Sequence, residues 1–424
     1  GGSFAGLTAL RHLTNYPGIR VVLIDQRRYF EYVPGILRLF CDPSLHKSIA
    51  RPMPASSSSH EFVHGCVKQI NAGSVVVHRF VCSGSTTRTK TTTIPYDHII
   101  IATGARSRQL PSIPQNGKTI IGYREAMTLK TQPKRMVVVG SGAIGVEFAY
   151  FYNAIGTEVT VVEYQDRIVP VEDQEVSKQL ERTFKKEGID IKTNSEVTGV
   201  DTSGKGCKVS VKTKKGEEIL ECDVVLSAAG VVSNIENIGL EACGIVHDRG
   251  KIVVDEYYAT NIPGYYAIGD CVPGPALAHV ASAEGITCVE KIAGHHPEPI
   301  DYGNIPGCTY CFPEVASVGM TEEAAKEAGH DIKVGKFPFS ASGKASASGH
   351  KDGFVKLIFD AKYGELLGGH MIGANVTEMI AEIVALRKLE TTGHELIKTI
   401  HPHPTLSEAV MEAAAAAYDE VIHL

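Results

Sequence analysis

The chain has 424 residues, 43% hydrophobic and 21% charged, with a formal net charge of -6. That length allows about three domains, and the composition is ordinary for a globular protein. The acidic balance, with no cluster of Lys and Arg, excludes a nucleic-acid footprint, and no apolar run of roughly 18 or more residues exists to span a membrane.

Forty-two glycines and no tryptophan suit an α/β protein with many tight strand–helix turns. The cysteines (41, 66, 82, 207, 222, 243, 271, 288, 308 and 311) lack the dense spacing of a secreted disulfide scaffold. That implies a reducing compartment: the cytoplasm, or the mitochondrial matrix in a eukaryote. No charged-then-apolar start resembles a signal peptide. Cys308 and Cys311 form the lone C-x-x-C. It reads as a redox pair or as two small apolar residues at a strand start. A single copy with no helix after it favours the second reading.

In chain order, the opening "GGSFAGLTALRHLTNYPGIRVVLID" places Gly1, Gly6 and Asp25 at the spacing of a dinucleotide-binding turn. Ser3 stands where the second glycine belongs, and no strand precedes the turn. In a doubly wound sheet that strand is central, and without it two neighbours keep unpaired edges. The expectation is that residues upstream of Gly1 are missing. "PASSSSH" and "CSGSTTRTKTTT" read as polar loops around a short strand, "SVVVHRFV". "YDHIIIATGARSR" is a buried strand ending in Ala102, Thr103 and Gly104, a small-residue turn suited to a nucleotide.

The most specific signal is "MVVVGSGAIGVEFAYFYNAIGTEVTVVE", a strand, glycine turn, helix and second strand. Gly140 permits the tight turn, Gly142 lets the backbone approach a pyrophosphate, and Gly145 lets helix and strand pack closely. The helix N-terminus offers N–H groups and a positive dipole end to phosphates. Glu163 ends the second strand, where a carboxylate accepts from a ribose 2′-hydroxyl. A 2′-phosphate would be repelled there, with Arg167 the nearest cation, so the site is expected to prefer NAD to NADP.

Further on, "IPGYYAIGDC" is a strand ending in Gly269 and Asp270, whose carboxylate can accept from a flavin ribitol hydroxyl or serve only as a turn or cap. "EMIAEIVALRKLE" has apolar residues at helical spacing. In "HPHPTLSE", Thr405 to Glu408 fits a capping box for the Ala-rich helix that follows. That does not explain a histidine between two prolines. Pro402 and Pro404 stiffen the turn and place His403 at a helix entry. A carboxylate on its far nitrogen would set the tautomer of a base competent near neutral pH. Local sequence leaves the capping and acid–base readings both open.

Together these pieces resemble the pyridine-nucleotide–disulfide oxidoreductases, two-nucleotide flavoenzymes. From about His98 onward the chain resembles their dihydrolipoyl dehydrogenase branch, through "ATGARSRQLP", "VVVGSGAIGVEFA", "YYAIGDCVPGPALAHVASAEG", "IPGCTYCFPEVASVGMTEEAA" and "HPHPTLSEAV". The resemblance implies two Rossmann-like doubly wound domains, binding FAD and NAD, and an α+β dimer-interface domain. The FAD domain would take residues 1–118 and 253–300, the NAD domain 119–252 and the dimerisation domain 301–424. It implies that Glu147 lies next to the nicotinamide and that Gly230 of "LSAAG" touches NAD. Asp270 would hold the flavin ribitol, Ala278 and His279 would begin the helix facing the isoalloxazine, and His403 with Glu408 would be the acid–base pair. The implied partners are a small-molecule electron donor or acceptor, a second copy of the chain and, by resemblance, a 2-oxo acid dehydrogenase complex.

The first ninety-odd residues depart from this pattern. That branch carries C-x-x-x-x-C within a "GGTCLNVGC"-like run, whereas Ile36 and His46 occupy the positions five residues either side of Cys41. "YFEYVPGILRL" instead resembles disulfide-free NADH:quinone and apoptosis-inducing-factor-like flavoproteins, so the chain reads as a mosaic joined near "YDHIIIATGARSR". Three functions are consistent with it. The first is an FAD-dependent oxidoreductase of dihydrolipoyl dehydrogenase type without its disulfide. The others are a disulfide-free NADH:acceptor reductase and a non-catalytic NAD-binding dimer without flavin.

Overall fold

The computed structural model describes residues 3–31, 50–83 and 86–424. It divides the chain into two units: residues 1–106 with 231–300, and residues 107–230 with 301–424.

The first unit opens with the helix Phe4–Leu13, which buries Ala5, Leu7, Ala9, Leu10 and Leu13, a spacing that gives one apolar stripe. Its partner is the helix Ala278–Ile292. The two approach closely because Gly285 has no side chain: a Cβ there would lie 3.2 Å from the Ala5 carbonyl oxygen. Val21–Asp25 pairs in parallel with His60–Asn71, and two antiparallel strands, Ser74–Ser83 and Thr86–Pro95, complete that sheet. Ile99–Ile101 pairs in parallel with Tyr265–Ala267 in a separate sheet. Among the described residues no pairing joins Val21–Asp25 to Ile99–Ile101.

The threonine-rich stretch expected as a loop is instead the ten-residue strand Thr86–Pro95, paired along its length with Ser74–Ser83. Composition misled here because threonine is polar yet β-branched, a shape that suits a pleated strand. As the outer strand of its sheet, it can keep polar side chains in water. "PASSSSH" does run without regular structure as far as Ser59, and His60 begins a strand.

In the second unit a five-stranded parallel sheet runs in the order Asp190–Lys192, Glu158–Val162, Arg135–Val139, Val224–Ser227, Ile120–Ile121. Arg135–Val139 is central, and Met136 to Val139 are all buried. Such unbroken apolar runs mark strands covered on both faces. An antiparallel sheet follows in the order Gly307–Thr309, Glu314–Gly319, Leu366–Gly373, Phe354–Asp360, Ile332–Pro338. The helices Val376–Lys388 and Glu408–Ala416 share its core with Val355, Leu357, Phe359 and Met371. Small residues set the spacing: a Cβ on Gly335 would collide with the Ala413 carbonyl oxygen. The α/β class and the helix in "EMIAEIVALRKLE" are therefore as the sequence predicts.

A buried cation joins these two layers of the second unit. Lys356 Nζ lies 3.0 Å from Asp173 Oδ2, 3.0 Å from Glu175 Oε2 and 2.7 Å from Glu322 Oε2, with its side chain 2% exposed. Asp173 also caps the helix Gln174–Lys186, accepting from the Glu175 N–H.

Candidate nucleotide-binding and acid–base sites

The strand Arg135–Val139 ends at Gly140, whose φ of +98° favours glycine, and a Cβ there would lie 2.8 Å from the Ala228 carbonyl oxygen. A Cβ on Gly145 would strike the Gly140 carbonyl oxygen, so glycine is what allows the helix Ala143–Ala154 to start so close to the strand. Gly142, its N-cap, is different: a Cβ there meets no atom within 4 Å. The open space lies at the uncapped helix N-terminus, where backbone N–H groups can receive an anion.

Glu163 is 6% exposed. Its Oε2 accepts from the Ser141 N–H and the Ser141 hydroxyl, both at 2.7 Å, and its Oε1 accepts from the Gln165 N–H at 2.8 Å. A carboxylate has about four acceptor positions, which leaves one on Oε1 for a ribose hydroxyl. Ser141, which sequence reasoning passed over as a spacer within the glycine pattern, thus ties the acid to the turn. Gly230 (φ +90°) accepts from the Arg108 N–H at 3.0 Å, and a Cβ there would meet the Arg108 guanidinium at 4.0 Å. Glu147 accepts from the Tyr310 N–H at 2.9 Å, and burial raises its carboxyl above the ordinary range. This donor set fits NAD: an anion-receiving helix end, a fixed carboxylate at a strand end and an open glycine.

In the first unit, Gly1 lies outside the described residues and Gly6 lies within the helix Phe4–Leu13. Asp25 ends its strand and accepts from the Arg27 N–H at 2.7 Å. The turn after Ile99–Ile101 holds Thr103 and Gly104 (φ +68°). Asn234, missed from sequence, clamps it: its side chain donates to the Thr103 carbonyl at 3.1 Å and its N–H to that of Gly104 at 2.8 Å. Gly269 and Asp270 open a short 3-10 turn. The Asp270 carbonyl accepts from Ser233 Oγ and Lys251 Nζ, both at 2.7 Å. Its carboxyl is raised by burial, with Lys251 opposing. Buried Glu284 accepts from the Gly269 N–H at 2.6 Å; "ASAEG" held that signal, a carboxylate on an apolar helix face. Ala278 and His279 are exposed at the start of their helix, which has no side-chain cap. Two strand-end carboxylates and an uncapped fifteen-residue helix are donors and acceptors of the kind FAD requires.

His403 Nδ1 lies 2.8 Å from Glu408 Oε1, and the His403 side chain is 79% exposed. Glu408 Oε2 accepts from the Thr405 N–H at 2.8 Å, while the Thr405 hydroxyl donates to the Pro402 carbonyl. Only the Glu408 half of the expected box forms, and it lies before the helix and does not cap it, since Ser407 is the N-cap; Glu408 both braces the turn and holds His403. Burial pushes the Glu408 carboxyl up, but the Thr405 N–H and the His403 ring outweigh it and hold it below the ordinary range. Cys41 lies outside the described residues. Burial pushes the Cys308 thiol up to about 11 and raises that of Cys311 as well, and a thiol held protonated is a poor nucleophile.

A family model described as pyridine nucleotide-disulphide oxidoreductase matches residues 1–285, and the model of that family's dimerisation domain matches residues 305–414. The chain is 52% identical over 328 residues to a dihydrolipoyl dehydrogenase of Rhizobium etli, covering 77% of this chain and 68% of that protein. It is 50% identical over 327 residues to a dihydrolipoyl dehydrogenase of Zymomonas mobilis, covering 77% and 70%. Among solved structures, LpdA from Mycobacterium tuberculosis superposes with a TM-score of 0.82 at 26% identity, covering 98% of this chain and 97% of that one.

Proposed function

The chain belongs to the pyridine nucleotide-disulphide oxidoreductases and is an FAD- and NAD(H)-dependent oxidoreductase, and from that premise we propose that it is of dihydrolipoyl dehydrogenase type with its disulfide step unserved. The observation that carries this is the coexistence of a formed His403–Glu408 pair with a sequence in which no two cysteines stand five positions apart. Residues 1–118 with 253–300 form the FAD-binding part, 119–252 the NAD-binding part and 301–424 the dimerisation part. FAD and NAD(H), when bound, supply the hydride chemistry. Gly140, Gly142 and Gly145 receive the NAD pyrophosphate, Glu163 its ribose and Glu147 its nicotinamide, and Gly230 touches NAD. Gly1, Gly6, Asp25, Thr103, Gly104, Gly269, Asp270, Ala278 and His279 serve FAD, and His403 with Glu408 moves a proton for a thiol.

Lipoamide reduction needs a charge-transfer thiolate and an interchange thiol as well as the histidine. NADH oxidation by a dye needs neither thiol. Steady-state turnover of the full chain with NADH is therefore expected to be robust with ferricyanide or a soluble quinone and absent with lipoamide. Lipoamide turnover at a comparable rate would mean that Cys41 or another cysteine has found a partner. The suppressed thiols of Cys308 and Cys311 favour the second reading, a disulfide-free NADH:acceptor reductase, over a substitute redox pair. A colourless protein without flavin absorbance would instead leave a non-catalytic NAD-binding dimer.

The dimerisation domain supports assembly as a two-fold homodimer through residues 301–424, the commonest soluble arrangement. Light scattering at micromolar concentration is expected to give twice the 45.6 kDa chain mass; a monomeric mass would sink the assignment. By the resemblance to dihydrolipoyl dehydrogenases, docking to a 2-oxo acid dehydrogenase complex belongs to this reading. So does a reducing location, cytoplasmic or in the mitochondrial matrix. Among the described residues no helix is long and apolar enough to cross a membrane.

A further inference from the structure

We infer that His401, paired with Glu382, is the positioning residue that holds the 399–405 strap and through it His403; the inference rests on the acid–base reading of His403. The His401 side chain is 5% exposed. Its Nδ1 lies 3.0 Å from the Thr399 carbonyl oxygen and its Nε2 lies 2.8 Å from Glu382 Oε1. Both partners are acceptors, and a neutral imidazole has only one N–H to give. With Glu382 as a carboxylate, both contacts are satisfied together only by a doubly protonated ring.

Glu382 sits on the helix Val376–Lys388, anchored in the core through Val376, Met379, Ile380 and Ile383. The strap leaves that anchor at His401 and is tied again at Thr405, whose N–H donates to Glu408 Oε2. His403 stands midway between the two ties, with its exposed ring held by Glu408. An exposed ring has little packing to fix it, so its aim depends on the backbone that carries it. The charged groups acting on His401 are Glu382 from the helix Val376–Lys388 and Glu408 from the helix Glu408–Ala416. Both are acidic and both favour the cation. Glu408 therefore orients His403 directly, and Glu382 does so at one remove through His401.

The test is NMR on the full flavin-bound dimer labelled with 15N-histidine. The second ring proton of His401 is expected to persist to a higher pH than in an ordinary histidine, whose value is about 6.5, because Glu382 favours the cation. In Glu382→Gln the second His401 proton is expected to be lost at a lower pH. The His403 Nδ1–H that bonds Glu408 is then expected to exchange with water roughly tenfold faster, the equivalent of about one hydrogen bond. Glu382→Asp, which keeps the charge, is expected to restore much of the protection. A His401 ring that loses its second proton at or below the ordinary histidine value, or unchanged His403 exchange in Glu382→Gln, would overturn the inference. Should Glu382→Gln fail to fold, Glu382→Asp, which keeps the charge on a shorter arm, is read by the same His403 exchange, and no change there would overturn the inference. Glu408→Gln separates the underlying reading: if it leaves the His403 signal unmoved, the acid–base pair itself is wrong, whatever His401 does.

Discussion

NADH is expected to bind roughly a hundred- to a thousandfold more tightly than NADPH, because a 2′-phosphate would face the Glu163 carboxylate at a cost on the order of several kcal/mol. Three donors from Ser141 and Gln165 hold that carboxylate, so it cannot swing away to admit a second anion. Arg167, the cation that could have softened the repulsion, is turned to Glu323, with Nη2 3.2 Å from Oε2. Glu163→Ala with Tyr164→Arg is the informative variant, since Tyr164 is 71% exposed and can be exchanged without disturbing the core. Losing Glu163 also frees the Ser141 N–H, which loosens the turn for both cofactors, so the ratio of the two dissociation constants is the quantity to measure. That ratio is expected to collapse or reverse in the double variant. Equal affinity in the unmodified chain would show that Glu163 does not face the ribose.

Lys356→Met is expected to destabilise the second unit by about 3–5 kcal/mol, the range for removing one partner of a buried ion pair. Asp173, 2% exposed, would be left as a buried carboxylate with no ammonium of its own, while Glu175 and Glu322 keep Lys336 and Lys326. For a unit of this size the thermal midpoint should fall by roughly 10 °C. Asp173→Asn on top of Lys356→Met removes one stranded charge while retaining a capping side chain, and should recover part of the loss. A midpoint within a degree or two of the parent in Lys356→Met would mean that solvent reaches the cluster.

The same cluster gives an acid limb. Lys326 and Lys356 hold Glu322 down to about 2. Asp173 and Glu175 are also held below their ordinary values: burial pushes them up, but Lys356 (for Asp173) and Lys336 with Lys356 (for Glu175) outweigh it. Each folded value lies below the unfolded one, so the stabilisation is present above about pH 4 and lost as pH falls toward about 2. For Lys356, burial lowers its affinity for the proton, but Glu322, Asp173 and Glu175 outweigh it, so the value is raised. Its contribution is therefore present while those acids are ionised, above about pH 4, and is lost again only under alkaline conditions. Denaturant titrations from pH 5 to pH 2 should show the second unit weakening steeply, and the slope should flatten in Lys356→Met.

What the sequence determined by itself was local. The valine run before Gly140, the three glycines and Glu163 lie within one strand–turn–helix–strand unit, so hydrophobic period and spacing identify them without knowledge of the rest of the chain. The half-formed box at Glu408 and its reach to His403 span five residues and were legible for the same reason. The residues that brace these groups were not. Ser141 looked like a spacer until Glu163 was seen to fold back on it, and Asn234 clamps a turn 131 positions away. Lys356 meets Asp173 across 183 positions, and no pattern along one strand shows that a lysine points inward toward three acids on other elements. His401 carried the same letters as His403, and only the packing of the Val376–Lys388 helix decided that one ring is buried against Glu382 while the other faces solvent. Thr86–Pro95 makes the same point for backbone: its composition says loop, and its strand exists because Ser74–Ser83 lies beside it to take the hydrogen bonds. Local geometry follows from neighbours in the chain, whereas desolvation and charge pairing depend on neighbours in space, and those were settled by the tertiary fold.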